Sequence, residues 1–202
     1  MLHTFRIVTS LVATAFLTTA AGAATWEIDP AHTSVQFAVR HLMISNVRGE
    51  FTKLTGRVEV DEAAPAAARI EATIDAASID TRNRKRDDHL RSPDFLNVEK
   101  FPTIEFRSTK IEKVADASWK VTGNLTLHGV TREVGLDLQG PTQQVKDTRG
   151  LHVGAQATTT INRKDFGINW NESLDGGGVL IGEEVSITID VEVIRKPTPA
   201  LP

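Results

Sequence analysis

Arg86-Asp87-Asp88-His89-Leu90-Arg91-Ser92-Pro93-Asp94-Phe95-Leu96-Asn97-Val98-Glu99-Lys100-Phe101-Pro102-Thr103-Ile104-Glu105-Phe106 is the one long interruption in a chain that otherwise alternates like strand. The charged run from Arg82 to Arg91 suits a solvated helical turn. Pro93 then forbids a continuing helix, because its ring blocks the preceding turn and it has no N–H. Phe95, Leu96, Val98 and Phe101 form an apolar cluster without alternation, and Pro102 marks the return to strand at Thr103. The pattern predicts a short lid, charged outside and apolar beneath, laid across whatever the strands enclose.

Outward from this lid the period is two. Trp26 to Asp29 reads as a brief extended segment ended by Pro30. Val35, Phe37 and Val39 mark the first strand, and His41 to Asn46 a turn. Val47 to Val60 reads as one second strand, with Gly49 and Gly56 as bends or bulges. Ile70, Ala72, Ile74 and Ala76 mark a third strand, and Ile104, Phe106 and Ile111 a fourth. Trp119, Val121, Gly123, Leu125 and Leu127 alternate strictly in a fifth, and His128-Gly129 can close a two-residue hairpin. Val134, Leu136 and Leu138 mark the sixth, Leu151 to Ile161 the seventh, and Val185 to Val193 the eighth. Eight such strands with short turns and no helical repeat predict an all-β, mainly antiparallel domain. A sandwich and a closed barrel both fit. At eight strands a barrel either fills with side chains or holds one small ligand.

Residues 1–23 read as a cleavable signal peptide: Arg6, an apolar run from Ile7 to Ala20, and a small-residue Ala21-Gly22-Ala23 site. That predicts a periplasmic or secreted protein, with a barrel domain at 24–196 and a tail at 197–202. Removing the leader takes away one charge, Arg6, and moves the formal net charge from −3 to −4. Such a balance gives no electrostatic case for nucleic acid or an anionic membrane surface. With no cysteine there are no disulfides, so stability rests on buried apolar area. An outer-membrane barrel is disfavoured, because such barrels carry aromatic girdles while this chain has no tyrosine and 5% aromatic residues.

Three stretches resemble the YceI family of bacterial periplasmic and secreted proteins. They are Arg86 to Leu96 running into Lys100-Phe101-Pro102, then Gly123 to Thr131, and Asn162-Arg163-Lys164-Asp165-Phe166-Gly167 with the Gly176-Gly177-Gly178 loop behind it. Ile28-Asp29-Pro30-Ala31-His32-Thr33 and Gly49-Glu50-Phe51 are similar too. The resemblance implies an eight-stranded antiparallel lipocalin-like barrel with a helical lid segment. It also implies an apolar cavity that binds a polyisoprenoid, such as a prenyl quinone or prenyl phosphate, or a similar long-chain amphiphile, without catalysis.

In such a barrel the alternating apolar set faces inward. The candidate cavity residues are Val35, Phe37, Val39, Ile70, Ile74, Ile104, Phe106, Trp119, Val121, Leu125, Leu127, Leu136, Leu138, Ile187 and Ile189. Arg132 shares the parity of Val134 near a barrel end, and with Arg91 on the lid it is a head-group candidate. Phe166 and Trp170 read as loop anchors. His32, His41, His89, His128 and His152 form no metal-ligand signature, so neither metal nor cofactor is expected beyond a bound isoprenoid or isoprenoid quinone. Asp87-Asp88-His89 lacks the nucleophile a hydrolase needs. Two readings stay open beside the carrier: a filled barrel acting through its surface in stress response or partner binding, and an enzyme on an isoprenoid substrate. Transient contact with a membrane or membrane protein, and a homodimer, are left open as well.

Overall fold

The structure, a computed structural model, describes residues 23–174 and 178–197. Residues 1–22, which fall in the expected signal peptide, residues 175–177 of the glycine loop, and residues 198–202 of the expected tail lie outside the described residues. Twelve strands form: β1 Ala24–Ile28, β2 Ser34–His41, β3 Ser45–Phe51, β4 Leu54–Val60, β5 Arg69–Asp75, β6 Ile79–Asp80, β7 Thr103–Ala115, β8 Ser118–Leu127, β9 Val130–Gln139, β10 Val145–Lys146, β11 Leu151–Asn162 and β12 Ile181–Arg195. Three pairs run on in the same direction as single broken staves, β1 with β2, β3 with β4, and β5 with β6. Setting aside the short edge strand β10, they make the eight staves of a closed antiparallel barrel, shut where β12 pairs with β11 along Leu151–Asn162.

The breaks have local causes. Between β3 and β4 the chain turns at Thr52-Lys53, not at the predicted glycines. Opposite it, the 3-10 turn Ala76–Ser78 pushes out of the neighbouring stave, and Ser78 takes up the freed groups: its carbonyl accepts from Thr52 N–H and its Oγ from Lys53 N–H, both at 3.2 Å. Gly49 and Gly56 sit in unbroken register. Gly49 is there for space, since a Cβ would lie 2.5 Å from the Phe37 ring. In β7 the register slips at Thr109, so Ile104, Phe106 and then Ile111 all face the same way despite their spacing. His128 and Gly129 close the β8–β9 hairpin with φ of 52° and 74°, the paired left-handed geometry of a tight two-residue turn.

The predicted lid is present. Helix α1 spans Arg84–Arg91, with Asn83 capping it by accepting from Arg86 N–H. Phe95 and Leu96 are buried beneath, in one core cluster with Ile79, Ile104, Leu127, Ile161, Phe166 and Ile168. This cluster sits at one end of the barrel. There β5 pairs with β7 only as far as Asp75–Thr103, and the lid segment fills the gap that follows.

Candidate ligand-binding cavity

A cavity of about 1460 Å³ runs through the barrel. All fifteen residues read from the sequence as cavity-facing line it, because each stave keeps one parity inward over the stretch they occupy. Only Val35, Ile104, Val121 and Leu127 of that set are fully buried. The rest stay partly accessible while facing inward, as walls of a hollow do and residues of a filled core do not. The volume exceeds the ~300–1,000 Å³ of an ordinary small-molecule pocket.

The two ends differ. At the end away from the lid, the Arg195 guanidinium lies 4.9 Å from the Trp26 ring centre and reaches Glu62 at 3.3 Å. Glu62 also accepts from Gln144 at 3.4 Å, so a polar brace spans this end. At the lid end the lining includes Arg40, His41 and Ser45 from the β2–β3 corner, and Asn83, Lys85, Arg86 and His89 from α1 and its cap. Trp170 and Leu180 complete this mouth. His89 is placed by three partners: Asp94 at 2.9 Å, and the Phe95 and Trp170 rings edge-on at 5.0 and 4.8 Å. Trp170 is thus a wall of the cavity as well as an anchor, whereas Phe166 is buried in the core.

Neither head-group candidate lines this cavity. Arg132 has the expected parity, opposite Leu125. However, β11 covers β9 only at Asp137–Gln139, and the 3-10 turn Arg163–Phe166 occupies the space beyond. Arg132 lies exposed against that turn and donates to the Asp165 carbonyl at 3.1 Å. Arg91 points the other way, into the stave beside it, and donates to the Ala77 and Ile79 carbonyls at 2.8 and 2.6 Å. It pins the lid.

Three polar arrangements escaped the sequence reading. Arg163 is buried at the cavity wall and donates to the Gly182 and Ile168 carbonyls at 2.9 and 2.7 Å, tying down the segment that carries Trp170. Desolvation pulls its pKa down. Asp87 is buried too, and accepts from the N–H and hydroxyl of Thr81, which fixes the start of α1. Outside the barrel, Asp29, His32 and Glu192 come together across the β1–β2 break. His32, the Ala31 N–H and Arg149 hold the Asp29 carboxyl below its usual range against the pull of burial. Next to it His152 bridges Glu192 at 2.7 Å and Asp147 at 2.8 Å, and these two partners raise its pKa. The group is a charge network bracing loop 140–150. It joins three separate stretches, 29–32, 147–152 and 192, so the motif that holds Asp29 and His32 did not by itself announce it.

Comparison with known proteins places this architecture. The YceI-like domain family matches residues 26–193. A UPF0312 protein of Staphylococcus aureus is 36% identical over 165 residues, covering 81% of this chain and 94% of its own. Among solved structures, Burkholderia cenocepacia BcnA superposes with a TM-score of 0.70 at 22% identity, covering 82% of this chain and 98% of its own. A polyisoprenoid binding domain from Saccharophagus degradans superposes at 0.61 with 16% identity, covering 87% and 99%. With its barrel, its lid and a match across nearly all the described residues, the chain belongs to the YceI-like domain family.

Proposed function

We propose that the protein binds a polyisoprenoid, or a similar long-chain amphiphile, as a non-catalytic carrier or scavenger. The observation that carries this reading is the continuous apolar hollow of about 1460 Å³. The structural likeness to a protein described as a polyisoprenoid binding domain supports it. Burying hydrocarbon is favourable by ~0.8 kcal/mol per CH₂, so each five-carbon unit contributes on the order of 2–4 kcal/mol relative to water. A lipid leaving a bilayer gains little of this, because it exchanges one apolar surrounding for another. Exchange is then nearly balanced, and contacts at the mouth decide its direction. Arg40, Lys85 and His89 take over the head-group role first assigned to Arg132 and Arg91, with Arg86 held beside them on the Thr81 hydroxyl and carbonyl, and suit a prenyl phosphate or a quinone carbonyl. We place the protein in the periplasm or outside the cell, on the leader-like first 23 residues.

Lipid extraction and mass spectrometry of protein purified from its native compartment tests this reading. A co-purifying prenyl lipid in near-stoichiometric amount is expected; protein that is lipid-free and does not bind added prenyl lipid refutes it. Incubating wild type and His89→Ala with a prenyl substrate separates carrier from catalyst. A carrier yields no product with either protein, whereas an enzyme working through His89 yields product that the variant loses.

A further inference from the structure

Among the described residues the cavity mouth has three sides: α1, the residues Ile168, Trp170 and Leu180, and the β2–β3 turn. The turn is Leu42-Met43-Ile44, and its side chains are not accounted for by packing. Met43 is 57% exposed and Ile44 76%. Leu42 and Met43 hold left-handed φ of 51° and 61°, a region that such side chains seldom enter. The Leu42 N–H donates to the Leu180 carbonyl at 2.8 Å, which carries the β2–β12 pairing on into the turn. Two large apolar side chains are therefore presented to solvent between His41 and Ser45, both of which line the cavity. The other exposed large apolar residues among those described, Val114 and Val145, stand singly toward the opposite end.

Charge is concentrated at the same mouth. Lys85 and Arg86 of α1 line it, while Arg82, Arg84 and Arg91 stand on the outer side of the lid, around a groove shared with Thr52 and Lys53. Asp87 is buried on Thr81, and Asp88 is shared by Arg84 and Arg91. Arg40 adds a further exposed cation beside the turn, and Glu172 is an exposed carboxylate on the opposing side. In a chain of formal charge −3 the mouth thus sets Arg40, Lys85 and Arg86 beside an apolar tip, with Asp94 held on His89. Resting on the proposed lipid cargo, we propose that this mouth docks on an anionic bilayer. Met43 and Ile44 enter the interfacial layer, while Arg40 and Lys85 beside them meet lipid phosphates. Docked so, the opening faces the membrane and a chain passes into the barrel without crossing water.

The test is flotation of the purified, ligand-free protein with phosphatidylcholine vesicles, with and without phosphatidylglycerol. In parallel, solution binding of a prenyl alcohol is followed by tryptophan fluorescence. Wild type is expected to float with the anionic vesicles and to be released by salt. Met43→Asp with Ile44→Asp weakens vesicle association about tenfold or more and leaves prenyl binding unchanged. Val114→Asp, at the other end, leaves both unchanged. Failure of wild type to float, or equal flotation of the double variant, overturns docking. So does vesicle-independent self-association that the double variant abolishes, since the turn is then a face between two copies. Loss of prenyl binding in wild type with flotation intact instead strikes the cargo reading and leaves docking standing.

Discussion

The inward set of side chains was legible because the barrel imposes a strict period of two, and a residue's parity is visible without coordinates. What parity does not reveal is where a long side chain ends. Arg132 and Arg91 both sit where a rim cation belongs, yet each finds backbone carbonyls before it finds the cavity. Small inward residues make the hollow testable one position at a time. Ala72 lies on the cavity wall opposite Phe106. In a filled core, Ala72→Trp overpacks and costs about 1–3 kcal/mol. In this barrel the indole has room, so denaturant unfolding is expected to shift by less than that while prenyl lipid affinity falls steeply. The opposite pattern, with lost stability and intact binding, contradicts the hollow.

His152 offers a second residue-level prediction. Glu192 first and Asp147 second raise its pKa above the ordinary value near ~6.5. A raised histidine stabilises fully below its unfolded pKa, and the contribution is lost as pH rises through the folded value. Desolvation works to raise Asp147, but hydrogen bonds from His152, Arg149 and Gly150 hold it well below the ordinary range. Its contribution is complete above ~4 and lost on acidification. Thermal stability is therefore expected to peak in mildly acidic buffer and to decline above about pH 6.5. His152→Gln should flatten the alkaline limb of that profile. An unchanged slope in the variant excludes His152 as its source.

At the scale of elements, the chain order and the lid were readable, and the breaks within staves were not. The lid announced itself because Pro93 and Pro102 bracket an apolar cluster that fits neither a strand nor a long helix. The second strand was read as continuous, with its glycines as bends, since glycine marks both a bend and a crowded spot. Here it marks crowding, and the bend is made by Ser78 from a neighbouring stave. That is a tertiary cause, invisible in the local sequence. Helix α1 is a separable part held by few contacts, chiefly Arg91 on the Ala77 and Ile79 carbonyls and Asp87 on Thr81. Arg91→Ala removes two charge-assisted bonds, each worth about 1.5–3 kcal/mol before solvent screening at this half-exposed site. Faster amide exchange confined to residues 84–98 and a faster release of bound lipid are expected. Exchange that quickens evenly across the barrel contradicts a separately hinged lid.

For the whole molecule, eight strands left sandwich and barrel open and the family resemblance pointed to a barrel, which the β11–β12 pairing closes. Whether the closed barrel is full or empty was not decided by the strands, because the same Val, Ile, Leu and Phe would serve either interior. The family resemblance pointed to a hollow, and the partial accessibility of inward residues in the structure agrees with it. The far-side brace of Arg195, Trp26, Glu62 and Gln144 and the cationic lid-side mouth give the hollow a direction that no count of strands contains. The central claim is that a long vacant apolar bore receives a chain lipid tail-first. A diffraction structure of crystals grown with a prenyl lipid tests it most directly. The expected result is continuous density along the barrel axis, its tail toward Trp26 and its head group among Lys85, Arg86 and His89. An interior closed by interdigitating side chains, or the lipid bound only on the outer surface, would contradict it.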